Sequence, residues 1–180
     1  MKGYFSGLAL ASLTLAACQS DTYSIKGEAH PFSDGTVLYL TAAPQSDSHP
    51  YDSIIVKDGK FADHGTVDPD NLWKLYVASQ PESAVYYFAE PGNVYIELSD
   101  KPGCSRVSGT RANNEWQALN DTIAKYDNHI RQLFASDSIS LRQKSTEMNR
   151  LYNIINDCIS ESTLRNRKNV LGRFISTHFE

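Results

Sequence analysis

The chain has 180 residues, with 17 Lys and Arg against 21 Asp and Glu, a net charge of −4 and a hydrophobic share of 41%. An acidic balance without a basic run excludes the phosphate-tracking surface of a nucleic-acid binder and an electrostatic hold on membranes. The length suits one domain with a real core, and no stretch reaches the roughly 18 apolar residues of a membrane span.

Residues 1–17 read as a lipoprotein signal peptide. Lys2 supplies the positive start, and Phe5 to Leu15 form an apolar core too short to cross a bilayer. Leu15-Ala16-Ala17-Cys18 then presents small residues and a thiol in the order at which a bacterial lipoprotein is cut and acylated. Cys18 is therefore the expected lipidation site, and residues 18–22 a lipidated tether. Removing 17 of 180 residues leaves 163, and the loss of Lys2 makes the mature chain one unit more acidic. The membrane is a partner through this anchor alone, with each buried CH₂ contributing about 0.8 kcal/mol.

Residues 23–110 carry all seven prolines and most glycines, which punctuate short segments rich in Val, Ile, Tyr and Phe. Strands are expected at Tyr23–Glu28, Thr36–Ala42, Tyr51–Lys57, Lys60–Val67, Leu72–Ser79, Ala84–Glu90, Asn93–Leu98 and Arg106–Thr110. Asp58-Gly59 is the clearest turn, since both residues accept the positive φ of a type I′ hairpin. About eight strands in this span predict an antiparallel β-sandwich.

Residues 111–180 are nearly free of turn residues. Trp116, Leu119, Ile123, Tyr126, Ile130 and Leu133 recur at spacings of three and four, which places them on one helical stripe. Asn113 or Asn114 is expected to cap that helix. A second stripe runs through Leu141, Met148, Leu151 or Tyr152, Ile155, Cys158 and Ile159, with Ser140 and Gln143 as a capping box. A third holds Leu164, Val170 or Leu171, Phe174 and Ile175. The fold class is thus α+β, a sandwich followed by two or three helices packed on it.

The chain offers little catalytic chemistry. Its five histidines include no pair at a ligand spacing, and no glycine loop or nucleophile elbow is present. No metal and no cofactor is expected. Asp68-Pro69-Asp70-Asn71 reads as a turn, because it lacks the central glycine and closing glutamate of a calcium loop. Glu82 and Glu90 could act as paired acids only if folding joins them, and Glu90-Pro91-Gly92 is more simply a type II turn. Tyr51 and Tyr86-Tyr87-Phe88 are candidates for an aromatic binding patch, although alternation along a strand sends about half of them into the core. Cys104 and Cys158 leave two readings open, a structural disulfide or two unpaired thiols, the second being preferred; their spacing excludes a C-x-x-C redox pair.

The segments Tyr23-Ser24-Ile25-Lys26-Gly27, Asp34 to Leu40, Asp52-Ser53, Val56 to Phe61, Gly65-Thr66-Val67, Phe88 to Gly92 and Val107 to Thr110 occur in an order that resembles the domain of unknown function 4369 family of Bacteroidetes lipoproteins. In many members that domain precedes a thioredoxin-like (AhpC/TSA type) thiol–disulfide oxidoreductase domain. The chain stops at Glu180 without the C-x-x-C of that domain, so the redox activity is carried onto no residue here. The resemblance implies the fold, the anchor and an envelope location. It also implies O-glycosylation at Asp-Ser/Thr followed by an aliphatic residue, with Ser138, Ser53 and Thr122 as candidates and Ser138 preferred.

The expected function is a non-catalytic, lipid-anchored interaction or adaptor protein whose partner is an envelope protein, a peptide or a glycan. One alternative is the N-terminal part, or a partner, of a thioredoxin-like oxidoreductase. Another is a glycan- or peptide-binding lipoprotein, which predicts exposed aromatics clustered on one sheet face. Gln19-Ser20-Asp21 carries a single acidic residue, which favours an outer-membrane anchor facing the periplasm over surface export.

Overall fold

Among residues 21–43, 50–68 and 70–178, which a computed structural model describes, eight strands and three helices follow one another. They are β1 (Thr22–Glu28), β2 (Val37–Ala43), β3 (Asp52–Ile55), β4 (Lys60–Thr66), β5 (Leu72–Val77), β6 (Gln80–Phe88), β7 (Gly92–Glu97), β8 (Arg106–Ser108), α1 (Arg111–Ala135), α2 (Leu141–Asn166) and α3 (Val170–His178). The strands form two four-stranded sheets, ordered β4-β1-β7-β8 and β3-β2-β5-β6. Alternation fills the space between them. Ile25, Val94, Ile96 and Val107 of the first sheet share one core with Leu38, Leu40, Leu75, Val85 and Tyr87 of the second.

The α+β sandwich is as expected, with one correction to its all-antiparallel strand plan: β1 and β7 pair in parallel, Ile25 beside Val94. Parallel neighbours need a crossover, and here it runs through β2 and β3 of the other sheet, β4 of the same sheet, and then β5 and β6 of the other. Local alternation reports burial but not strand direction. The Asp58-Gly59 turn forms as predicted. Both residues have positive φ (52° and 67°), and Lys57 and Lys60 exchange backbone bonds of 2.9 and 3.0 Å across it. This turn carries the chain from the second sheet to the first.

Register in the β1–β4 pair is set by two aromatic rings lying over glycines. Phe61 opposes Gly27 and Tyr23 opposes Gly65. A Cβ on Gly27 would lie 2.1 Å from the Phe61 ring, and one on Gly65 would lie 2.8 Å from that of Tyr23. Each missing side chain is replaced by the ring from across the ladder, and a slip of one residue would turn both rings to solvent.

The helices dock at the end of β6. Phe88 donates its N–H to Asn113 Oδ1 (2.8 Å) and accepts from Asn113 Nδ2 (2.9 Å), so one buried carboxamide stands in for a neighbouring strand. The Phe88 ring lies edge-on against Trp116 of α1 and Phe174 of α3, with centroids 5.9 and 5.6 Å away. Trp116 and Phe174 complete the triangle at 5.9 Å. Asn113 and Asn114 are therefore not the caps expected from sequence. Thr110 is the boundary residue, and the first turn is capped from outside by the Glu90 carboxylate, which accepts from Ala112 N. Asn114 accepts from Gly109 N (3.0 Å) and closes the preceding turn.

α2 packs on α1 and α3, and its Ser140–Gln143 capping box forms as expected. Ile130, Leu151 and Ile155 make a second small core between α1 and α2. The predicted stripes need correcting at their ends. Leu141 and Tyr152 are exposed, and Leu164 belongs to α2 rather than to the third helix and also faces solvent. The last turn of α1 contains no basic residue; instead buried Lys144 reaches over from α2 and donates to Phe134 C=O at 3.0 Å.

Replacing Asn113 by Ala leaves a buried N–H and C=O of Phe88 without partners. It should cost about 2–4 kcal/mol, read as a lower urea midpoint at unchanged slope. A loss below about 0.5 kcal/mol would show that the helix is held by its rings alone.

Candidate functional site

The helix that docks at β6 also seals the far edge of the first sheet. Gln117 Oε1 accepts from Val107 N of β8 at 2.9 Å. Beyond the Asn113 seal, β6 and α1 leave an open groove of about 400 Å³ between them. Ala84, Val85 and Tyr86 line one wall, and Trp116, Asn120, Ile123, Ala124 and Asp127 the other. Gly103 and Ser105 close one end. The groove carries three carboxylates (Glu82, Asp121 and Asp127) and no lysine or arginine. Arg106 pairs with Asp121, which also accepts from Gln117 Nε2 at 2.9 Å. An apolar floor with convergent polar groups and an aromatic side chain can bind a ligand.

A second depression, of about 440 Å³, lies on the outer face of the first sheet around Lys26, Glu28, Lys60, Tyr95, Glu97 and Arg106. Strand register explains it. Lys60, Glu28, Glu97 and Arg106 stand in one row across β4, β1, β7 and β8, so each glutamate has a cation on one side. The flanking cations offset the like charges of Glu28 and Glu97, which oppose each other across the parallel β1–β7 pair on a solvated face.

At one mouth of the sandwich, Tyr23 and Tyr87 bring their hydroxyls within 3.2 Å of each other. Burial, reinforced by the Tyr23 hydroxyl and, to a lesser extent, by the Asp63 carboxylate, pushes the Tyr87 phenol well above its ordinary value near 10. Burial raises Tyr23 too, only partly offset by its bond to Tyr87. Beside them Asp68 organises the turn that precedes β5. Burial alone would raise its pKa. Bonds from Asn71 Nδ2 (2.9 Å), Asp70 N (3.0 Å), Asn71 N (3.2 Å) and Trp73 Nε1 (3.2 Å) outweigh this and hold the carboxyl below its usual range. Asp68 is thus a turn residue.

The candidate residues do not converge on one place. Cys18 lies outside the described residues. Cys104 is exposed in the loop that ends the groove, Cys158 is half-buried on α2, and both are free. Ser53 is exposed on β3, and Ser138 is exposed between α1 and α2 with its hydroxyl 3.0 Å from that of Ser136. Thr122 is half-buried in α1 and donates to Ala118 C=O at 2.8 Å. Glu82 and Glu90 sit near opposite ends of β6, in the groove and at the α1 cap, and form no acid pair. Of the aromatic candidates, Tyr87 and Phe88 are core, Tyr86 is 39% exposed, and Tyr51 is 79% exposed and leans edge-on against Trp73 at 5.1 Å. The groove itself escaped the sequence because its walls come from segments some thirty residues apart. The one local sign was Tyr86, alternating with core residues on β6.

A family model described as a domain of unknown function (DUF4369) matches residues 23–116. The chain belongs to this family. The match takes in all of the sandwich after Thr22 and ends at Trp116, so the domain of unknown function includes the docking turn of α1 with Asn113. No curated protein matches the chain. Among the described residues no helix is long and apolar enough to cross a membrane, and no three His, Cys, Asp or Glu side chains gather as a metal site.

The tyrosine pair ties stability to pH. Both phenols stay protonated in the folded state, while unfolding frees them to ionise at about pH 10. The contribution of the pair to stability should therefore be level below that pH and fall as it is passed. Replacing both Tyr23 and Tyr87 by Phe should flatten that fall, measured as urea midpoints between about pH 8 and pH 11; an equal decline in the double variant would remove the pair as its cause.

Proposed function

We propose that this protein is a lipid-anchored adaptor of the cell envelope, held through acylated Cys18 in the outer membrane, facing the periplasm, and acting by binding rather than catalysis. The anchor is supported by Lys2, the apolar run and Leu15-Ala16-Ala17-Cys18 in order. The binding role is carried by one observation, the groove between β6 and α1 with its half-exposed Tyr86 and two carboxylates, Glu82 and Asp127, that have no cationic partner among the described residues. β1 begins at Thr22, four residues after Cys18, so the tether spans at most about 15 Å and keeps the sandwich at the membrane surface.

The wild-type chain from its native host should partition into the detergent phase on Triton X-114 separation, and the Cys18→Ala variant into the aqueous phase. A variant that still follows the detergent would refute the anchor. Turnover of a thiol, ester or glycosidic substrate at enzymatic rates by the purified protein would refute the adaptor role.

The same envelope setting makes Ser138 the preferred glycan acceptor, because it is exposed in an irregular segment, with exposed Ser53 second. Thr122 ranks last, since its hydroxyl is engaged within the helix. Intact mass of the native protein should show hexose-sized additions that Ser138→Ala removes in part. An unmodified mass would end this assignment.

A further inference from the structure

Phe88 turns its N–H and C=O away from β5, where Asn113 takes both. In an antiparallel pair this orientation repeats at every second residue, and Phe88 and Tyr86 oppose Leu72 and Lys74 on β5 in continuous register. Tyr86 therefore directs its own N–H and C=O to the same open side. Further along, Ser105 Oγ donates to Ser83 C=O at 3.0 Å. The edge of β6 is thus closed at both ends by side chains standing in for a strand. Between them, from Ala84 to Tyr86, it faces the groove. Across that groove α1 presents Ile123 and Ala124 as an apolar wall, and the charges are one-sided. Arg106 occupies Asp121, while among the described residues Glu82 and Asp127 have no cationic partner.

We propose that the β6 edge takes up an extended peptide segment bearing a lysine or arginine, as a short added strand lying between β6 and α1. This rests on the adaptor function proposed above and names the class of its partner. An open strand edge is a template for another chain. Main-chain bonds to the edge give such docking its affinity, and the pockets alongside select the side chains. Here a basic side chain meets Glu82 and Asp127 while an alternate apolar one lies along Ile123 and Ala124. The exposed carboxylates set selectivity and salt dependence more than strength.

The test uses the full chain, isotope-labelled in detergent micelles, and a blocked hexapeptide of alternating valine and lysine. The amides of Ala84, Val85, Tyr86 and Asn120 should shift on titration. Binding should weaken at least tenfold in the Glu82→Lys, Asp127→Lys double variant, and by as much in Tyr86→Pro. That proline removes an N–H aimed at the groove without breaking a β5 bond. Should Tyr86→Pro fail to fold, the same peptide with an N-methylated backbone carries the test from the ligand's side and should also bind at least tenfold more weakly. Absence of binding overturns the proposal, as do equal binding of the valine–glutamate peptide, undiminished binding of the N-methylated one, or shifts confined to another surface. A partner recovered from native membranes equally by the wild type and the double variant also overturns it, while leaving the adaptor function standing.

Discussion

One hydrogen-bonded junction, between the backbone of Phe88 and the side chain of Asn113, holds the two parts of this molecule in register. A sheet edge and a helix start share a difficulty, since each presents main-chain groups with no partner in its own element. Setting one against the other resolves both. Asn113 satisfies the end of β6, and Glu90, just past that end, satisfies the first turn of α1. The Phe88 ring, between Trp116 and Phe174, then adds an apolar contact at the same point. Polar and apolar terms coincide at one residue, so the helix has a single position in which both are met.

The same principle recurs at each later joint. Gln117 closes β8, and Lys144 closes the far end of α1 from α2. Asn169 accepts from Gly172 N at 3.2 Å and starts α3. Gly172 lets α3 pass close to α2, because a Cβ there would lie 2.2 Å from Asn166 C=O. The helical region is therefore continuous with the core of the sandwich, and Trp116, Leu119, Val170, Leu171 and Ile175 belong to that core. The groove is the stretch that this scheme leaves uncovered: the β5–β6 register shifts where Leu75 and Val77 face β6, and no carboxamide bridges β6 to α1 between Ala84 and Tyr86 among the described residues.

Much of the fold was legible in order and type. Eight strands stand where Val, Ile, Tyr and Phe alternate between turns, because burying one face of a strand imposes a period of two on its own residues. The Asp58-Gly59 turn and the Ser140–Gln143 box were equally legible, since each is completed within four residues. The start of α1 was not. Asn113 and Asn114 have the composition of caps, and only the arrival of Glu90 from the β6–β7 turn releases them for other work. The parallel pairing of β1 and β7 was hidden for the same reason, as it depends on the route taken by the chain between them.

The sequence by itself determined what is encoded within a few neighbouring residues, namely the strands, the turn chemistry and the helical stripes, and the order of those segments determined the family. The tertiary structure alone decided which edges meet. It turned Asn113 from a cap into a strand surrogate, separated Glu82 from Glu90, sent Tyr87 and Phe88 into the core and left Tyr86 at an open edge beside carboxylates. Those outcomes depend on pairing between distant segments, and a local pattern can signal that a backbone group needs a partner without naming the residue that supplies it.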